Sequence, residues 1–512
     1  VSTLGWTGGA YGQVEDKQKD PLTSAADSTA PSDVATELVT DEIVVTAQKR
    51  EQPLRDVGIA ITALSADQLF ESGVRNTQEI IQLVPALTLQ ETRGSWIIRG
   101  VGTQTVSMGS EGATAVYLDD SYIYWARGTG QPMFDMAQTE VMKGPQGTLF
   151  GRNATGGLIH FRTADPSREA GGYADFTLGD LSHARVEAAY GGPLAPDVSG
   201  RIAVLANTED SHYTSLLPPG PDPADDNSWA ARGKLRWDAG EAWTLLFTGH
   251  HSEQETSRNA LRTHFVSRFG PDGLGYPADD PEATDVFGWR NPAGSGVFDT
   301  WTNAESREIV DLSLGSLKAD WTGDKLIFRS ITSWMQGKRN FTEDADQGPV
   351  DVAINSNPGF EFPNNSTTSI TQEFHLSGGK RLRWMVGAFY LTIDQNGLTT
   401  FAWGEDLGDF TEFERQNNQA DSLAGFGQIE YDLSQRWRLV AGLRYTDEAR
   451  SSTGESWTEL SDGTIVPGGT RDQERTMDKP LSGKVALEFL PSTNRIAYAS
   501  FNQSTKSGGF NS

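Results

Sequence analysis

The chain has 512 residues, 42 Lys and Arg against 69 Asp and Glu, a formal net charge of -27 and no cysteine. So acidic a chain would repel nucleic-acid phosphates rather than neutralise them, and without thiols it has neither a disulfide framework nor a thiolate metal site. No run of eighteen apolar residues occurs, which excludes a helical membrane span but not a β-barrel, whose alternating strands give a weak hydropathy signal.

In chain order, residues 1–40 lack the basic start and apolar centre of a secretory signal, and from Gln13 to Thr40 they are polar, with Pro21 and Pro31. They read as a signal remnant and flexible lead-in. Val57 to Ala63 then reads as a short strand. Ser65-Ala66-Asp67-Gln68 is a capping-box pattern opening a helix that Gly73 ends. A second short helix is expected after Asn76, stopping at Pro85. Short apolar runs follow at Trp96-Ile97-Ile98, Ala115-Val116-Tyr117-Leu118 and Thr139-Glu140-Val141-Met142. This is a small mixed α+β unit.

The stretch EVMKGPQGTLFGRNATGG, residues 140–157, holds glycines at 144, 147, 151, 156 and 157. A phosphate loop would need Gly-Lys-Ser/Thr and then a helix. Here Arg152-Asn153 follows the glycines, and Leu158-Ile159-His160-Phe161-Arg162-Thr163 looks like a strand. Leu149, Phe150, Leu158 and Ile159 want burial, so a flexible linker is excluded as well, and tight turns within a packed domain remain.

From Gly172 onward the pattern has a period of two. Trp437, Leu439, Ala441, Leu443 and Tyr445 share one face, with Arg436, Arg438, Val440, Gly442 and Arg444 on the other. Leu382, Trp384, Val386, Ala388 and Tyr390 repeat the pattern, as do Val485, Leu487 and Phe489. Tight connections are predicted at 238–241, 322–324, 377–380, 432–435 and 491–494, from their Gly, Pro, Asn, Asp or Ser content. Long polar stretches lie between them, at 210–228, 252–306, 338–367, 395–419 and 450–479. Alternating short and long connections, with aromatic residues at strand ends, fit a barrel in an outer membrane. Periodicity gives about thirteen strands, an odd number that would leave an edge open to lipid. The chain is therefore expected to be a fragment missing the C-terminal part of its barrel.

Four stretches carry a resemblance to the TonB-dependent outer-membrane receptors. Asp41-Glu42-Ile43-Val44-Val45-Thr46-Ala47 resembles a TonB box; Ile98-Arg99-Gly100 and Val116-Tyr117-Leu118-Asp119-Asp120 resemble plug motifs. Glu140, Lys143, Gly144-Pro145 and Gly147-Thr148-Leu149-Phe150-Gly151 resemble the plug signature. Met142-Lys143 stands where the family commonly has Leu-Arg, and Leu158 to Thr163 departs from its Ile-Asn-Ile-Val-Thr. The resemblance implies a mixed α+β plug domain inside an antiparallel transmembrane β-barrel of about 22 strands when complete. It divides the chain into 1–40 lead-in, 41–170 TonB box and plug, and 171–512 partial barrel. It also implies a Gram-negative outer membrane, contact with its lipid, and import of a ferric siderophore or another scarce nutrient. Cobalamin, oligosaccharide and aromatic cargoes stay open, no cofactor is implied, and an outer-membrane hydrolase is the competing class.

The same resemblance supplies TonB, energised through ExbB and ExbD, as partner of Ile43, Val44, Val45, Thr46 and Ala47. That β-prone segment suits strand addition to a partner's sheet edge, or it is simply the plug's first strand. Arg99, Glu140, Lys143 and Arg152 are expected to fasten plug to plug or plug to wall, with solvent-exposed charges as the alternative. Gln104, Met108, Tyr122, Tyr124, Trp125 and Arg127 are candidate ligand contacts, since aromatics plus an arginine suit a bulky anion. The alternative for Tyr122 and Trp125 is plug packing. Asp119-Asp120 reads as a turn, and His250-His251 cannot form a metal pair, because strand neighbours face opposite ways.

Overall fold

A computed structural model describes residues 43–90, 95–103, 109, 111–124, 131–217, 226–256, 292, 296, 298–301, 307–344, 353–357, 365–404, 408–492 and 495–510. The chain enters through β1 (Val44–Val45), paired antiparallel with β2 (Gln52–Pro53). β3 (Ala60–Ser65) leads into α1 (Ala66–Glu71), whose capping box is complete: Ser65 Oγ accepts from the Gln68 N–H, and the Gln68 side chain accepts from the Ser65 N–H. The expected second helix is a 3-10 turn, Glu79–Gln82, with Asn76 Oδ1 accepting from the N–H groups of Gln78 and Glu79.

β4 (Leu87–Gln90) and β5 (Ser95–Ile98) form a hairpin. β6 (Thr114–Leu118), β7 (Ser121–Tyr122), β8 (Met136–Lys143) and β9 (Gly157–Thr163) join β3 in a five-stranded sheet ordered β3-β8-β9-β6-β7. Only the β6–β9 pairing is parallel within it. The glycine-rich stretch holds a single helical turn, α2 (Gly147–Phe150), rather than turns alone. Gly151 closes it at φ 82°, and a Cβ there would lie 2.8 Å from the Arg444 guanidinium. That position needs glycine for its backbone and for the close approach of another part of the chain.

The remaining strands form one long antiparallel sheet. β10 (Gly171–Leu178), β11 (Ala184–Ala195), β12 (Val198–Glu209), β14 (Asp226–Ala239), β15 (Trp243–Thr256), β17 (Arg307–Thr322) and β18 (Leu326–Asp344) follow in order. The short β13 (Thr214–Ser215) and β16 (Asp299–Thr300) pair with each other outside it. β20 (Ser366–Gly378), β21 (Leu382–Trp403), β22 (Phe410–Asp432), β23 (Trp437–Leu460), β25 (Leu481–Ser492) and β26 (Arg495–Gln503) complete the succession. β19 (Ala353–Asn357) adds to the far ends of β18 and β21, and β24 (Ile465–Asp478) adds to β23. Four of the five predicted tight connections, 238–241, 322–324, 377–380 and 432–435, are hairpin turns at one end of the sheet, and the fifth, 491–494, lies partly outside the described residues. Two of the expected long loops, 395–419 and 450–479, are instead ladders continuing past the turn-distal end, pairing as far as Phe410↔Leu460. Their polar composition concealed strands, because both faces of those extensions meet water.

The wall is inverted relative to a soluble sheet. Along β14, Ser228, Ala230, Arg232 and Lys234 are buried, while Trp229, Leu235 and Trp237 are exposed. Along β22, Gln416, Asn418, Ser422 and Gln428 are buried, and Leu423 and Ile429 are exposed. An apolar outer face and a polar inner face are what a barrel needs when lipid surrounds it. The inner face packs on the five-stranded sheet: Val116, Val141, Leu158 and Ile159 share one core with Leu312, Met335, Leu391 and Phe426 of the wall.

Candidate functional site

The entry segment is held by side chains more than by its ladder. Val45 is 0 % and Ala47 1 % exposed, and the Thr46 between them faces Glu140 on β8. Glu140 is itself 0 % exposed, and its two carboxylate oxygens accept from the Thr46 N–H at 2.9 and 3.1 Å. Thr46 Oγ1 donates to the same carboxylate at 3.1 Å, and Arg162 lies 3.7 Å away on the other side. On β9, His160 Nε2 accepts from the Asp120 N–H at 3.3 Å, and Nδ1 stands 3.3 Å from Thr46 Oγ1. A neutral imidazole protonated on Nδ1 satisfies both contacts. Burial pushes the His160 pKa down against the opposing pull of Asp120 and Glu140, in keeping with that form.

From this point the bonding reaches the wall. Asp119 and Asp120 form the β6–β7 turn with φ of 48° and 67°, as their sequence suggested. Their carboxylates go further: Asp119 lies 3.1 Å from Lys234 Nζ on β14, and Asp120 accepts from Lys318 Nζ on β17 at 3.1 Å. Burial alone would raise both carboxyls. For Asp119, the charges of Lys234 and Arg232 and two hydrogen bonds from Thr163 outweigh burial and bring the pKa to about 2. For Asp120, the charges of Lys318 and Arg329 hold it well below the usual range. Asp135 accepts from Arg201 Nε on β12 at 2.8 Å. Across the lumen the signs reverse. Lys49 pairs with Glu373 on β20, Arg50 with Glu430 on β22, and Arg152 with Glu448 on β23 at 3.0 Å. Arg152 also meets Glu111 at 3.0 Å, and Arg450 bonds both Glu111 and Glu448, closing a buried quartet.

A five-stranded domain seated inside an inverted antiparallel wall is the architecture to which the family comparisons point. The family description "TonB-dependent Receptor Plug Domain" matches residues 53–158, and "TonB dependent receptor-like, beta-barrel" matches residues 256–512. The chain belongs to the TonB-dependent receptors. It is 21 % identical over 480 residues to the pesticin receptor of Yersinia pestis, covering 92 % of this chain and 64 % of that protein. Over 243 residues it is 24 % identical to the vitamin B12 transporter BtuB of Vibrio vulnificus, covering 45 % and 39 % respectively. The solved ferric yersiniabactin uptake receptor FyuA of Yersinia pestis superposes with a TM-score of 0.69 at 17 % identity, over 86 % of this chain and 64 % of FyuA. The ferric-catecholate import receptor Fiu of E. coli K12, in its open form, does so with a TM-score of 0.66 at 14 % identity, over 89 % and 71 %. The chain thus spans somewhat under two thirds of the pesticin receptor. These relatives are receptors and transporters by name, and none is an enzyme.

The predicted site residues of this receptor fall unevenly. Arg152 joins plug to wall. Glu140 holds the entry segment instead of pairing with Arg99. Arg99 and Lys143 require correction as fasteners: among the described residues neither has a carboxylate within ion-pairing distance. Arg99 is exposed, in the left-handed region at φ 52°. Burial and the nearby Arg99 charge push the Lys143 amine below its ordinary value. Tyr122 needs correction too, since it is buried and donates to Glu111 at 3.2 Å with its ring 5.4 Å from that of Tyr117. Tyr124 packs under the Arg152 guanidinium, 5.8 Å from ring centre to Cζ. Gln104, Met108, Trp125 and Arg127 lie outside the described residues. His250 stacks on Phe134 inside the lumen, whereas His251 bonds Ser313 Oγ, so the two face opposite ways. Sequence reasoning missed Lys49, Arg50, Glu111 and His160. The Lys-Arg pair directly after the entry segment was the available signal.

Proposed function

We propose that this receptor imports a scarce nutrient across the outer membrane of a Gram-negative bacterium, with a ferric siderophore as cargo. In this reading residues 41–170 are the TonB box and plug, and the wall from 171 onward sits in outer-membrane lipid. TonB, driven by ExbB and ExbD, captures Ile43–Ala47 by strand addition.

The capture of Thr46 by buried Glu140 carries this reading, because it ties the segment to the plug's central sheet by a few breakable bonds. Such a segment can be taken over by a partner's sheet edge without unfolding the domain. The test is Val45→Pro, which removes a ladder donor. Uptake is expected to vanish while ligand binding persists, and undiminished uptake would refute the assignment of the segment.

For cargo, the support is the likeness to the ferric yersiniabactin uptake receptor FyuA and to the catecholate siderophore receptor Fiu. The match to a vitamin B12 transporter favours cobalamin as second reading. Receptor abundance under iron starvation and iron plenty separates them: strong induction by starvation supports the chelate, and indifference to iron favours cobalamin.

A further inference from the structure

The hairpin turns of the wall differ in charge. At the turns joining β14 to β15 and β17 to β18, Asp238 is met by Arg168 and Arg236, Glu241 and Asp324 are exposed, and Lys325 stands beside Asp324. The turns 379–381 and 433–436, joining β20 to β21 and β22 to β23, carry Lys380, Arg381 and Arg436 and no acid. The nearest acid in sequence, Asp432, is already engaged: its carboxylate accepts from Arg383 at 2.8 and 2.9 Å and from Arg438 at 3.1 Å. Glu430 is buried on the lumen side with Arg50 and Arg383. Lys380, Arg381 and Arg436 are exposed, and among the described residues no carboxylate lies within ion-pairing distance of them.

These cations stand on an ordered frame. The Asp432 N–H donates to the Arg381 carbonyl at 3.1 Å, Arg381 Nε donates to the Asp432 carbonyl at 3.2 Å, and the Leu490 N–H of β25 donates to the Arg436 carbonyl at 2.8 Å. The Arg381 guanidinium rests 5.4 Å from the centre of the Tyr431 ring, and among the described residues its two terminal nitrogens have no acceptor. Along β22, Tyr431 is in step with the exposed Leu423 and Ile429 and out of step with the buried Gln428 and Glu430, so this guanidinium lies on the outward face. On that face Tyr431 pairs with Leu382 and Leu439, and Trp437 pairs with Phe489, their rings 4.6 Å apart. Leu382 and Trp437 are 46 % and 42 % exposed.

A phosphodiester fits this seat. Aromatic and aliphatic side chains grouped at a barrel's turn end mark the depth where hydrocarbon gives way to headgroups. A guanidinium fork takes two oxygens of one phosphate, and flanking cations favour an anionic headgroup. A zwitterionic headgroup brings its own ammonium to the phosphate and leaves the three cations poorly matched, whereas a glycerol headgroup brings none. A protein partner would approach from the periplasm, but Arg381 is turned outward over Tyr431, toward the lipid side.

On the reading that the wall sits in outer-membrane lipid, we propose that the turn edge of β20–β23 seats an anionic glycerophospholipid of the periplasmic leaflet. Arg381 forks the phosphate, Lys380 and Arg436 flank it, and the acyl chains run along Leu382, Trp437 and Phe489. The seat adjoins the path of the entry segment, since Arg438 of the same edge donates to the Asp56 carbonyl at 3.4 Å.

The test is native mass spectrometry of the purified receptor, released from detergent after incubation with equimolar phosphatidylglycerol and phosphatidylethanolamine of matched acyl chains. Retained phosphatidylglycerol should exceed phosphatidylethanolamine at least about fivefold. Lys380→Gln with Arg381→Gln and Arg436→Gln should bring the ratio to about one. Arg168→Gln with Arg236→Gln and Lys325→Gln, an equal loss of charge at the other turns, should leave it intact. Arg381→Lys, which keeps the charge and loses the fork, should give an intermediate ratio. Equal retention of the two lipids by the unmodified receptor overturns the inference, as does an equal fall in the control triple variant. A ratio that survives in the Lys380, Arg381 and Arg436 variant while capture of TonB's periplasmic domain is lost assigns these cations to a protein and overturns it too. A receptor that retains neither lipid and fails to insert into bilayers overturns the lipid-embedded reading itself.

Discussion

The two sides of the wall hold the plug with opposite signs. On β12, β14 and β17 the wall supplies Arg201, Lys234 and Lys318 to the plug acids Asp135, Asp119 and Asp120. On β20, β22 and β23 it supplies Glu373, Glu430 and Glu448 to the plug cations Lys49, Arg50 and Arg152. Two pairs among the described residues run against the pattern: Glu111 with Arg450, inside the quartet that already contains Arg152 and Glu448, and the exposed Arg168 with Asp238 of β14. A plug turned within the cylinder would bring its acids to wall glutamates, so the reversal fixes one rotational seating as well as contributing attraction. Sign segregation acts here as register, much as cross-strand charges do in a sheet.

The strongest way to break this comparison is Arg152→Glu, which puts a third carboxylate beside Glu111 and Glu448. Losing a pair this buried is expected to cost about 3–5 kcal/mol, read as a lower urea midpoint for protease attack on the plug. An unchanged midpoint would mean that water in the lumen screens the quartet, as for exposed pairs worth about 0–1 kcal/mol. On the other side, Asp120→Lys and Lys318→Asp should each weaken the plug, and the double swap should restore part of the loss. A coupling energy of about 1–3 kcal/mol is expected, and a value under about 0.5 would dismiss that pair as register.

Acid sharpens the contrast further. The folded pKa of Asp119 is lowered to about 2, so its stabilisation is complete above the unfolded value of about 3.9 and disappears as pH falls through about 2. Plug resistance should therefore hold down to about pH 4 and drop below it, by on the order of 2 kcal/mol from this group. Asp119→Asn should flatten that drop; an undiminished drop in the variant would assign it to other carboxylates. The smallest effect belongs to the Arg99→Ala and Glu140→Ala cycle, whose coupling should stay within about 0.3–0.5 kcal/mol of zero because the two do not touch. A larger coupling would place Arg99 back among the fasteners.

Local signals read well from the sequence. The capping box at Ser65–Gln68, the Asp119-Asp120 turn and the four described tight hairpins each rest on residues whose side chains or backbone freedom act within a few positions. The inverted alternation was equally visible, since period two survives whichever face meets lipid. What stayed hidden depends on partners hundreds of residues away. Nothing near Glu140 names Thr46, and nothing near Lys49 names Glu373. The extended ladders of β22 and β23 were masked by composition, because strands with two wet faces carry no apolar stripe.

The bond from Thr46 to Glu140 also has a mechanical meaning. β1 shares only two residue pairs with β2, and one of them involves Pro53, which has no N–H to give. Tension applied at Ile43 meets few bonds among which to divide the load, so the ladder yields early and force passes to the carboxylate of Glu140. That group sits on β8, an interior strand of the plug sheet between β3 and β9. A pull at the margin of the domain is thereby delivered to an interior strand, with the imidazole of His160 and the turn at Asp120 standing between that strand and the wall lysine.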